Sequence, residues 1–405
     1  MAYKDLDHQN TSNTESRAWR ACLRHDLTYI NSINSGFKMS KKSKVFFIET
    51  RSGESLSSQA KKVKRLCDVV GIKSIINRGD MVAVKTSFGE KGNIGHLKPP
   101  LIKAAVEKVK SSGGKPFLVE TNTLYVGKRS NAIDHLMLAH EHGFTIENTG
   151  APVIIGDGLF GEHDYIVNIN QELCKNAYIS GVAKASNAII SIAHVTGHLA
   201  TGMGATFKNI GMGLSARGGK LAQHSGVIPQ IISKKCKTCN ICHIWCPADA
   251  IAMGDDTAVI DPEKCIGCGE CLAVCQFDAV KIAWDEDTAN LQKKVAEYCL
   301  AILEEKRHKA AFFNFLTHIT KHCDCMDKPF EPDISDIGIV ASRDPVAVEK
   351  ATVDLINEHT GKDYFRKLWP KIDYTVQLEH AHEIGLGNLD YDLENVTVAE
   401  QVSVT

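Results

Sequence analysis

Eight cysteines in one short segment constrain this chain more than any other feature of its sequence. They form two runs with the same spacing, C-x2-C-x2-C-x3-C, within residues 236–275. Three such closely spaced thiolates hold one face of an iron–sulfur cube, and the fourth thiolate of the run ligates the other cube. The first cluster is therefore assigned to Cys236, Cys239, Cys242 and Cys275, and the second to Cys265, Cys268, Cys271 and Cys246.

This spacing is that of bacterial-type ferredoxins, which bind two [4Fe–4S] clusters. A zinc ribbon or a disulfide framework is the alternative, but zinc sites use two C-x2-C pairs, which supply four ligands rather than two sets of four. Pro247 follows the first run as the ferredoxin pattern requires, whereas Gln276 stands where the second proline is expected. That change removes some turn rigidity and no ligand, so the sequence predicts two clusters.

Charge and hydropathy exclude several classes of protein. The formal net charge of the 405-residue chain is −1, which gives no bulk attraction to nucleic acid or to an anionic membrane surface. We expect no membrane span, because no apolar run approaches the roughly 18–20 residues that one needs, and no secretory signal. Since cluster thiolates must stay reduced, we expect a cytoplasmic, low-oxygen setting.

Strand-like and helix-like segments alternate on both sides of the cysteine runs. Strands are predicted at 45–48, 81–84, 116–119, 153–156, 164–168, 188–193, 311–315 and 337–340, and helices at 56–70, 131–142 and 346–358. Short connections between such segments favour the α/β class with a mostly parallel sheet. Ligands of these sheets bind beyond the carboxyl ends of the strands, where polar side chains follow the predicted strands of this chain.

The cysteine runs interrupt the α/β pattern, so the sequence predicts a discontinuous α/β domain with a ferredoxin-type insertion. The predicted boundaries are 40–230 and 285–390 for the two parts of the α/β domain, 231–284 for the insertion, and 391–405 for a tail. Residues 1–38 are polar and unlike the rest. We expect them to be either foreign to the native protein, which would then start at Met39, or a loosely ordered extension.

Several polar segments outside the cysteine runs give the chain a family resemblance. They are residues 85–96 with Lys98, 194–213, 220–224, 323–325 and 344–347. On these segments the chain resembles the iron–sulfur protein family built on domain-of-unknown-function 362, in its version with an inserted two-cluster ferredoxin domain. The resemblance covers about residues 44–390. It implies the α/β fold and the clusters, and it implies no particular reaction.

Cys323 and Cys325 form a C-x-C pair beyond the clusters. At the end of an extended strand, alternate side chains share a face, so both thiols would point one way and Asp324 the other. Two adjacent thiols can hold a metal, form a redox disulfide or simply pack, and the motif alone does not choose among these. His318 and His322 are near enough in sequence to add a nitrogen ligand.

The remaining candidate site residues are histidines and lysines beside glycine-rich segments. His96, His198 and His224 titrate near neutrality and are candidates for proton transfer or metal binding. The candidate lysines, which would surround an anionic substrate with free loop N–H groups, are Lys85, Lys98, Lys208 and Lys220. Glu90 and Asp344 are acid–base candidates, although Asp344 can equally cap the helix that follows it.

The catalytic group predicted from sequence is therefore His96, His198, Lys208, Cys323 and Cys325. The first functional hypothesis is an oxidoreductase whose two clusters pass single electrons from a redox partner protein to a substrate or second cofactor in the α/β cleft. The alternatives are an electron carrier or docking subunit without catalysis, and a cluster-based sensor or assembly factor. No signature demands a flavin or an additional metal, and the oligomeric state stays open.

Overall fold

The structure is a computed structural model that describes residues 42–125, 127–224, 228–265, 267, 269–281 and 287–398. The predictions for residues 1–38 and for Met39, as well as the cluster ligand Cys268, lie outside this part of the chain. Within the described ranges, no helix combines the length and the apolar character that crossing a bilayer requires.

The strands follow the predicted positions closely along the α/β part. Their bounds are β1 Ser43–Glu49, β2 Met81–Lys85, β3 Lys115–Glu120, β4 Val153–Ile155, β5 Asp164–Asn168, β6 Asn176–Ser180, β7 Ala188–His194, β8 Thr196–His198, β9 Gly202–Gly204, β10 Gln230–Ile231, β11 Ile251–Met253, β12 Ala258–Ile260, β13 Val280–Lys281, β14 Ala310–Leu316, β15 Gly338–Ser342 and β16 Tyr391–Asn395.

The helices connect these strands. Their bounds are α1 Leu56–Val70, α2 Ile72–Ile75, α3 Pro99–Ser111, α4 Ala132–Glu141, α5 Ile146–Thr149, α6 Gly181–Ala185, α7 Arg217–His224, α8 Ile241–Ile244, α9 Glu270–Val274, α10 Thr288–Leu303, α11 Pro345–Thr360, α12 Tyr364–Leu368 and α13 Thr375–Glu383. A π-helix spans Lys208–Met212 and a 3-10 helix spans Glu304–Lys309.

Eight strands form one mostly parallel sheet in the order β16-β1-β15-β14-β7-β2-β3-β4. Only β15 runs antiparallel to its neighbours, β1 and β14. The chain proceeds from β2 to β3 and β4 on one side and places β7 and β14 on the other. The carboxyl ends of these parallel strands therefore meet at one edge, and the strand order reverses between β2 and β7. Open α/β sheets bind ligands at such a reversal.

Alternating side chains of the central strands build a core on each face of the sheet. Val82 and Val84 of β2 belong to the core on the face of α1 and α3, whereas Ala83 belongs to the core on the opposite face. Both faces are apolar because helices cover both, which is the rule for parallel sheets. Cys67 and Cys299, each at most 1 % exposed, are core residues.

Local sequence explains where the site-forming helices begin. Pro99 and Pro100 occupy the first turn of α3, where no backbone N–H is needed. Asp344 caps α11 by accepting hydrogen bonds from the N–H groups of Val346 at 2.8 Å and Ala347 at 3.0 Å. The structure thus gives Asp344 the capping role that the sequence left as one of two alternatives.

Three segments differ from the sequence-based expectation. Strand β5 does not join the large sheet and instead pairs antiparallel with β6 in a separate two-stranded sheet. The glycine-rich segment after β7 was expected to be a loop that enters a helix. It forms instead the β8–β9 hairpin and the π-helix. Strand β16 lies within the predicted C-terminal tail region and extends the sheet beside β1.

The cysteine-rich segment is built separately from the large sheet. Strands β10 to β13 form two small antiparallel pairs, and Ile251, Ala258, Cys271 and Val280 make a small core of their own. The segment lies in sequence between β7 and β14, which are adjacent strands of the large sheet. The chain therefore leaves the α/β part and returns to it.

Candidate functional site

One cavity of about 1050 Å³ lies at the carboxyl ends of β2, β3 and β7. Most of the residues that the sequence singled out outside the cysteine runs line it together: Lys85, Glu90, His194, His198, Lys208, Lys220, His224, Cys323 and Cys325. The lining does not include His96, Lys98 or Asp344. The prediction that polar strand ends converge on one site therefore agrees with the geometry.

Cys323 and Cys325 lie in the cavity wall and are joined by a disulfide, with their Cα atoms 5.2 Å apart. The expectation of an extended strand end is wrong here. Strand β14 ends at Leu316, and the thiols follow in a turn. Two steps along a strand would separate the Cα atoms by about 6.6 Å, so the turn brings the sulfurs closer than a strand would.

His198 lies beside this disulfide, with one ring nitrogen and both sulfurs mutually within 4.8 Å. The backbone N–H groups of Ala200 and Thr201 donate to its Nδ1, at 3.3 and 3.2 Å. Nδ1 therefore carries no proton, and the neutral ring carries it on Nε2. Burial, with added repulsion from Lys208, holds the pKa of His198 well below its usual range.

Lys208, at the start of the π-helix, places its amino group beside the disulfide. Its Nζ lies 3.5 Å from Sγ of Cys323. Among the residues that the structure describes, no carboxylate pairs with this ammonium group. Burial, followed by repulsion from Arg129, lowers the pKa of Lys208 to about 7. The charged form of Lys208 thus lacks a fixed anionic partner in the cavity.

A buried ion-pair network forms another part of the cavity lining. Glu120 accepts from Lys85 Nζ at 3.0 Å and from Arg129 Nη1 at 2.9 Å. Arg129 Nε also lies 3.4 Å from Glu90, and Lys85 Nζ donates to Asn209 at 2.9 Å. Burial raises the pKa of Glu120, but Lys85 and the other partners outweigh burial and hold that pKa well below its usual range. Lys85 and Glu90 are therefore neutralised internally.

Lys220, on α7, is held at the floor of the cavity by neutral acceptors. Its Nζ donates to Thr121 Oγ1 at 2.5 Å and to the Ser215 carbonyl at 2.6 Å. Burial lowers the pKa of Lys220 to about 8, against the attraction of Asp157. Burial likewise raises the pKa of Asp157 to about 6. Among the described residues, the cavity lysines without a direct carboxylate contact are consequently Lys208, Lys220 and Lys91, of which Lys91 is exposed to solvent.

His194 and Asp324 fasten the disulfide turn to the end of β7. His194 donates from Nδ1 to Asp324 at 2.9 Å and from Nε2 to the Thr317 carbonyl at 2.9 Å. Because both ring nitrogens face acceptors, the ring is an imidazolium. Burial acts to lower the pKa of His194, but Asp324 and the carbonyls outweigh it and raise the pKa. The pKa of Asp324 is lowered, since His194 outweighs its burial.

His96 lies outside the cavity wall. Its ring is 6 % exposed and stacks on His142, with the ring centroids 4.3 Å apart. Burial, with repulsion from Lys98, lowers its pKa to about 3. The structure thus places His96 beneath the loop after β2, apart from the other candidate catalytic residues.

Seven of the eight cysteines proposed as cluster ligands lie in the described segment, and their arrangement fits two clusters. The thiol of Cys242 has a raised pKa, caused by burial and then by the neighbouring thiols of Cys236, Cys239 and Cys275. These four are the ligands assigned to the first cluster. A small separate cavity is lined by Cys246, Cys265 and Cys271, which are three of the four ligands assigned to the second cluster.

The two cysteine runs also share backbone features that suit cluster binding. The N–H groups of Ala250 and Ala279 donate to Cys246 and Cys275, each four residues earlier and each at 3.3 Å. Such N–H···S bonds stabilise thiolates and tune a bound cluster. Positions between the cysteines adopt positive φ: Thr238 and Asn240 in the first run, and Gly267 and Gly269 in the second.

The second cysteine run contacts the wall of the large cavity. Leu272 packs against Leu221 of α7 and against Leu124, which itself lines the cavity. A Cβ atom on Gly269 would lie 3.2 Å from Cγ of Arg217, so the backbone of the run lies directly against α7. Since α7 also carries Lys220 and His224, one layer of side chains connects the cysteine segment to the cavity.

Fold and site together define an α/β protein with a disulfide-bearing cavity and a cysteine segment typical of iron–sulfur proteins. The chain belongs to the family described as Domain of unknown function (DUF362), whose family model matches residues 82–354, more than half of the chain. The family resemblance inferred from the sequence is thus confirmed.

Curated proteins match the chain over short stretches. It is 51 % identical over 35 residues to "Ferredoxin 7Fe" of Hydrogenibacillus schlegelii, a match that covers 9 % of this chain and 45 % of that protein. It is 36 % identical over 53 residues to "Ferredoxin" of Rickettsia felis, a match that covers 13 % of this chain and 49 % of that protein. It is 43 % identical over 47 residues to one component of an ion-translocating oxidoreductase complex of Methanosarcina acetivorans (12 % and 18 %). The chain thus spans less than half the length of these relatives. The similarities support an iron–sulfur electron-transfer role.

Sequence reasoning missed Arg129, Asp157 and the pairing of Asp324 with His194. Arg129 follows the loop after β3 and belongs to no motif, while Asp324 is 130 positions from its partner. The one available signal was the polar run that starts at Glu120, which marked the strand end without identifying its partners.

Proposed function

We propose that this chain is an oxidoreductase in which two [4Fe–4S] clusters pass single electrons to a substrate or second cofactor in the α/β cavity. The contact of residues 269–272 with α7 and Leu124 carries this proposal. Electron transfer needs a short route, and a single layer of packed side chains supplies one. The paired 3.3 Å N–H···S bonds and the cysteine-lined cavity support cluster binding by the two runs.

The proposed ligands are those given by the spacing of the runs, including Cys268. Bound clusters would supply one-electron redox chemistry. The protein residues hold and orient them through thiolates and backbone N–H groups. The segment 231–284 is in this view a ferredoxin-type insertion into a discontinuous α/β domain, and the electron donor is a single-electron partner protein.

The cavity itself suits an anionic small molecule. Lys208 and Lys220 offer two cations without direct carboxylate contacts, whereas the charges of Lys85 and Arg129 are balanced by Glu120 and Glu90. Burial disfavours the charged forms of Lys208 and Lys220, and an anion bound between them would stabilise those charged forms. We therefore propose an anionic organic acceptor that contacts both of these lysines.

Reoxidation kinetics test this function. Anaerobic protein is reduced with a low-potential one-electron donor and mixed with a panel of anionic organic acceptors, while visible absorbance reports the cluster oxidation state. Lys220→Met should slow reoxidation by the cavity-binding acceptor about tenfold or more and leave reoxidation by a large protein acceptor unchanged. Lys110→Met, on the exposed end of α3, is the matched control.

Two results would contradict the proposal. In the first, the protein has a full iron content, but its Lys220→Met and Lys208→Met variants reoxidise at the wild-type rate with every acceptor. That result would support the electron-carrier or docking alternative. Protein without reducible clusters would contradict the electron-transfer role itself.

A further inference from the structure

The Cys323–Cys325 disulfide is a group in the described cavity lining that can itself take up electrons. It lies in the same wall as Lys208 and His198. A disulfide is a two-electron acceptor, whereas iron–sulfur clusters pass electrons one at a time. A one-electron donor must therefore deliver two electrons in succession to reduce this disulfide.

We propose that the Cys323–Cys325 disulfide collects single electrons into a two-electron dithiol, with Lys208 as the residue that stabilises the Cys323 thiolate. The inference rests on the proposed function in one respect, since that function supplies the electrons. The S–S bond breaks as two electrons and one proton enter, which leaves a thiolate on Cys323 and a thiol on Cys325. A low-potential, one-electron iron–sulfur donor is the reductant, and the proton comes from water in the cavity.

The position of Lys208 fits this product better than it fits the disulfide. Its Nζ is 3.5 Å from Cys323 Sγ and meets no carboxylate among the described residues. The disulfide is neutral and gives the ammonium group no counter-charge. Reduction places a negative charge on the adjacent sulfur, and a lysine beside a cysteine favours the thiolate. The reduced state therefore forms an ion pair that the oxidised state lacks.

The turn that carries the pair is anchored independently of the S–S bond. Asp324 accepts from His194 at 2.9 Å through its side chain and from the Glu90 N–H at 2.9 Å through its carbonyl. These bonds do not depend on the oxidation state of the neighbouring cysteines. The two sulfurs consequently stay close after reduction, which makes the step reversible and suits a site that passes two electrons on.

A metal held by His198, Cys323 and Cys325 is the competing use of the same atoms. The hydrogen bonds from Ala200 and Thr201 to Nδ1 of His198 argue against it. They place the ring proton on Nε2, so metal binding at Nε2 requires loss of that proton. Metal binding at Nδ1 requires loss of both hydrogen bonds from the backbone amides.

The test counts electrons and thiols in the same anaerobic sample of the full chain. A low-potential viologen reduced in advance is added stepwise, cluster reduction is followed by absorbance, and free thiols are alkylated with iodoacetamide and located by mass spectrometry. We expect the Cys323–Cys325 peptide to change from unlabelled to labelled, and the wild type to take up two electrons more per chain than Cys323→Ser/Cys325→Ser.

The outcomes separate this inference from the proposed function. As a control, a phosphine reductant must make the Cys323–Cys325 pair available for labelling. If the clusters are then reduced by the viologen while the pair stays unlabelled, the inference is overturned and the proposed function still stands. Absence of reducible clusters would overturn the function. A pair that is never a disulfide and instead holds a stoichiometric metal would overturn the inference in favour of the metal site.

The role of Lys208 is tested by the pH dependence of alkylation at Cys323 in phosphine-reduced protein. Lys208→Met should raise the midpoint by about one pH unit, which slows labelling about tenfold near neutral pH. Lys208→Arg keeps the charge and should restore the wild-type profile. Identical profiles in all three proteins would overturn the role given to Lys208.

Discussion

At the residue scale, several charged groups of the cavity are paired with one another, whereas Lys208 and Lys220 have no carboxylate contact among the described residues. Glu120 pairs with both Lys85 and Arg129 in a site where its own side chain is 7 % exposed, and Glu90 supplies the second negative charge beside Arg129. Lys208 and Lys220 face neutral atoms instead. The first set, the Glu120 ion pairs, is structural because its charges are paired without a ligand. The second set, Lys208 and Lys220, would give a bound anion or a thiolate the larger electrostatic stabilisation.

Substitution Glu120→Gln tests the structural role of the first set. It leaves Lys85 and Arg129 buried without their shared carboxylate, and removal of one partner from a buried pair costs about 3–5 kcal/mol. Urea unfolding of anaerobic protein, followed by circular dichroism, measures the change. Glu305→Gln is the matched control, since its pair with Lys184 is at the surface, with Glu305 60 % exposed, and should cost less than about 1 kcal/mol. Equal losses in the two variants would contradict the assignment.

The His194–Asp324 pair predicts a pH-dependent stability. The raised pKa of His194 gives stability that is complete below its unfolded value, about 6.5, and is lost as pH rises through the folded pKa. The lowered pKa of Asp324 gives stability that is present above about 4 and is lost as pH falls through the folded value. The pair therefore stabilises most between those two pH values.

The urea midpoint of Asp324→Asn should accordingly differ most from wild type near pH 6, and the difference should shrink toward pH 9 as His194 loses its proton. Asp68→Asn, which breaks the surface pair with Lys108, should show no such trend. A penalty for Asp324→Asn that is constant or grows between pH 6 and pH 9 would show that His194 is not the imidazolium described.

At the element scale, the π-helix Lys208–Met212 depends on close contact with α10. A Cβ atom on Gly211 would overlap the Val295 carbonyl oxygen and would lie 2.9 Å from Sγ of Cys299, both within α10. The helices approach this closely only because position 211 has no side chain. That contact fixes the π-helix, and with it Lys208 and Asn209, against the cavity.

Gly211→Ala should therefore move the π-helix as well as destabilise the protein. Overpacking of this kind costs about 1–3 kcal/mol, and we expect slower reaction of reduced Cys323 with iodoacetamide because Lys208 is displaced. Gly204→Ala is the control for the unfolding measurement alone, because the nearest atom, Lys208 Cδ, is 3.2 Å away and belongs to a flexible side chain that can adjust. A Gly211→Ala protein with wild-type stability would contradict the close contact.

Sequence patterns could predict the helices and strands whose formation depends on residues close together in the chain. The apolar pattern of the sequence predicted α1 and the central strands. The β8–β9 hairpin and the π-helix could not be read in the same way, since their glycines serve contacts with distant segments such as α10. The disulfide turn was missed for a related reason: its anchor, His194, is far away in sequence.

At the scale of the whole molecule, the cysteine-rich segment packs against the α/β part at the edge that holds the cavity. The parallel strands gather their polar ends at one edge, and the second cysteine run packs on α7 behind that edge. The sequence predicted both the class of the sheet and the convergence of polar ends, because strand direction follows from the strand–helix alternation. It could not predict which face of the cysteine segment meets the cavity, which depends on packing of Leu272 with Leu124 and Leu221.

The most direct test of this account is the iron and acid-labile sulfide content of anaerobically purified protein, with electron paramagnetic resonance after reduction. Two [4Fe–4S] clusters require about eight irons and eight sulfides per chain, with reduced-cluster signals that interact. We predict that composition, with no further stoichiometric metal. Zinc in place of iron, or iron well below that number in fully folded protein, would contradict the central claim that the two cysteine runs supply electrons to the cavity.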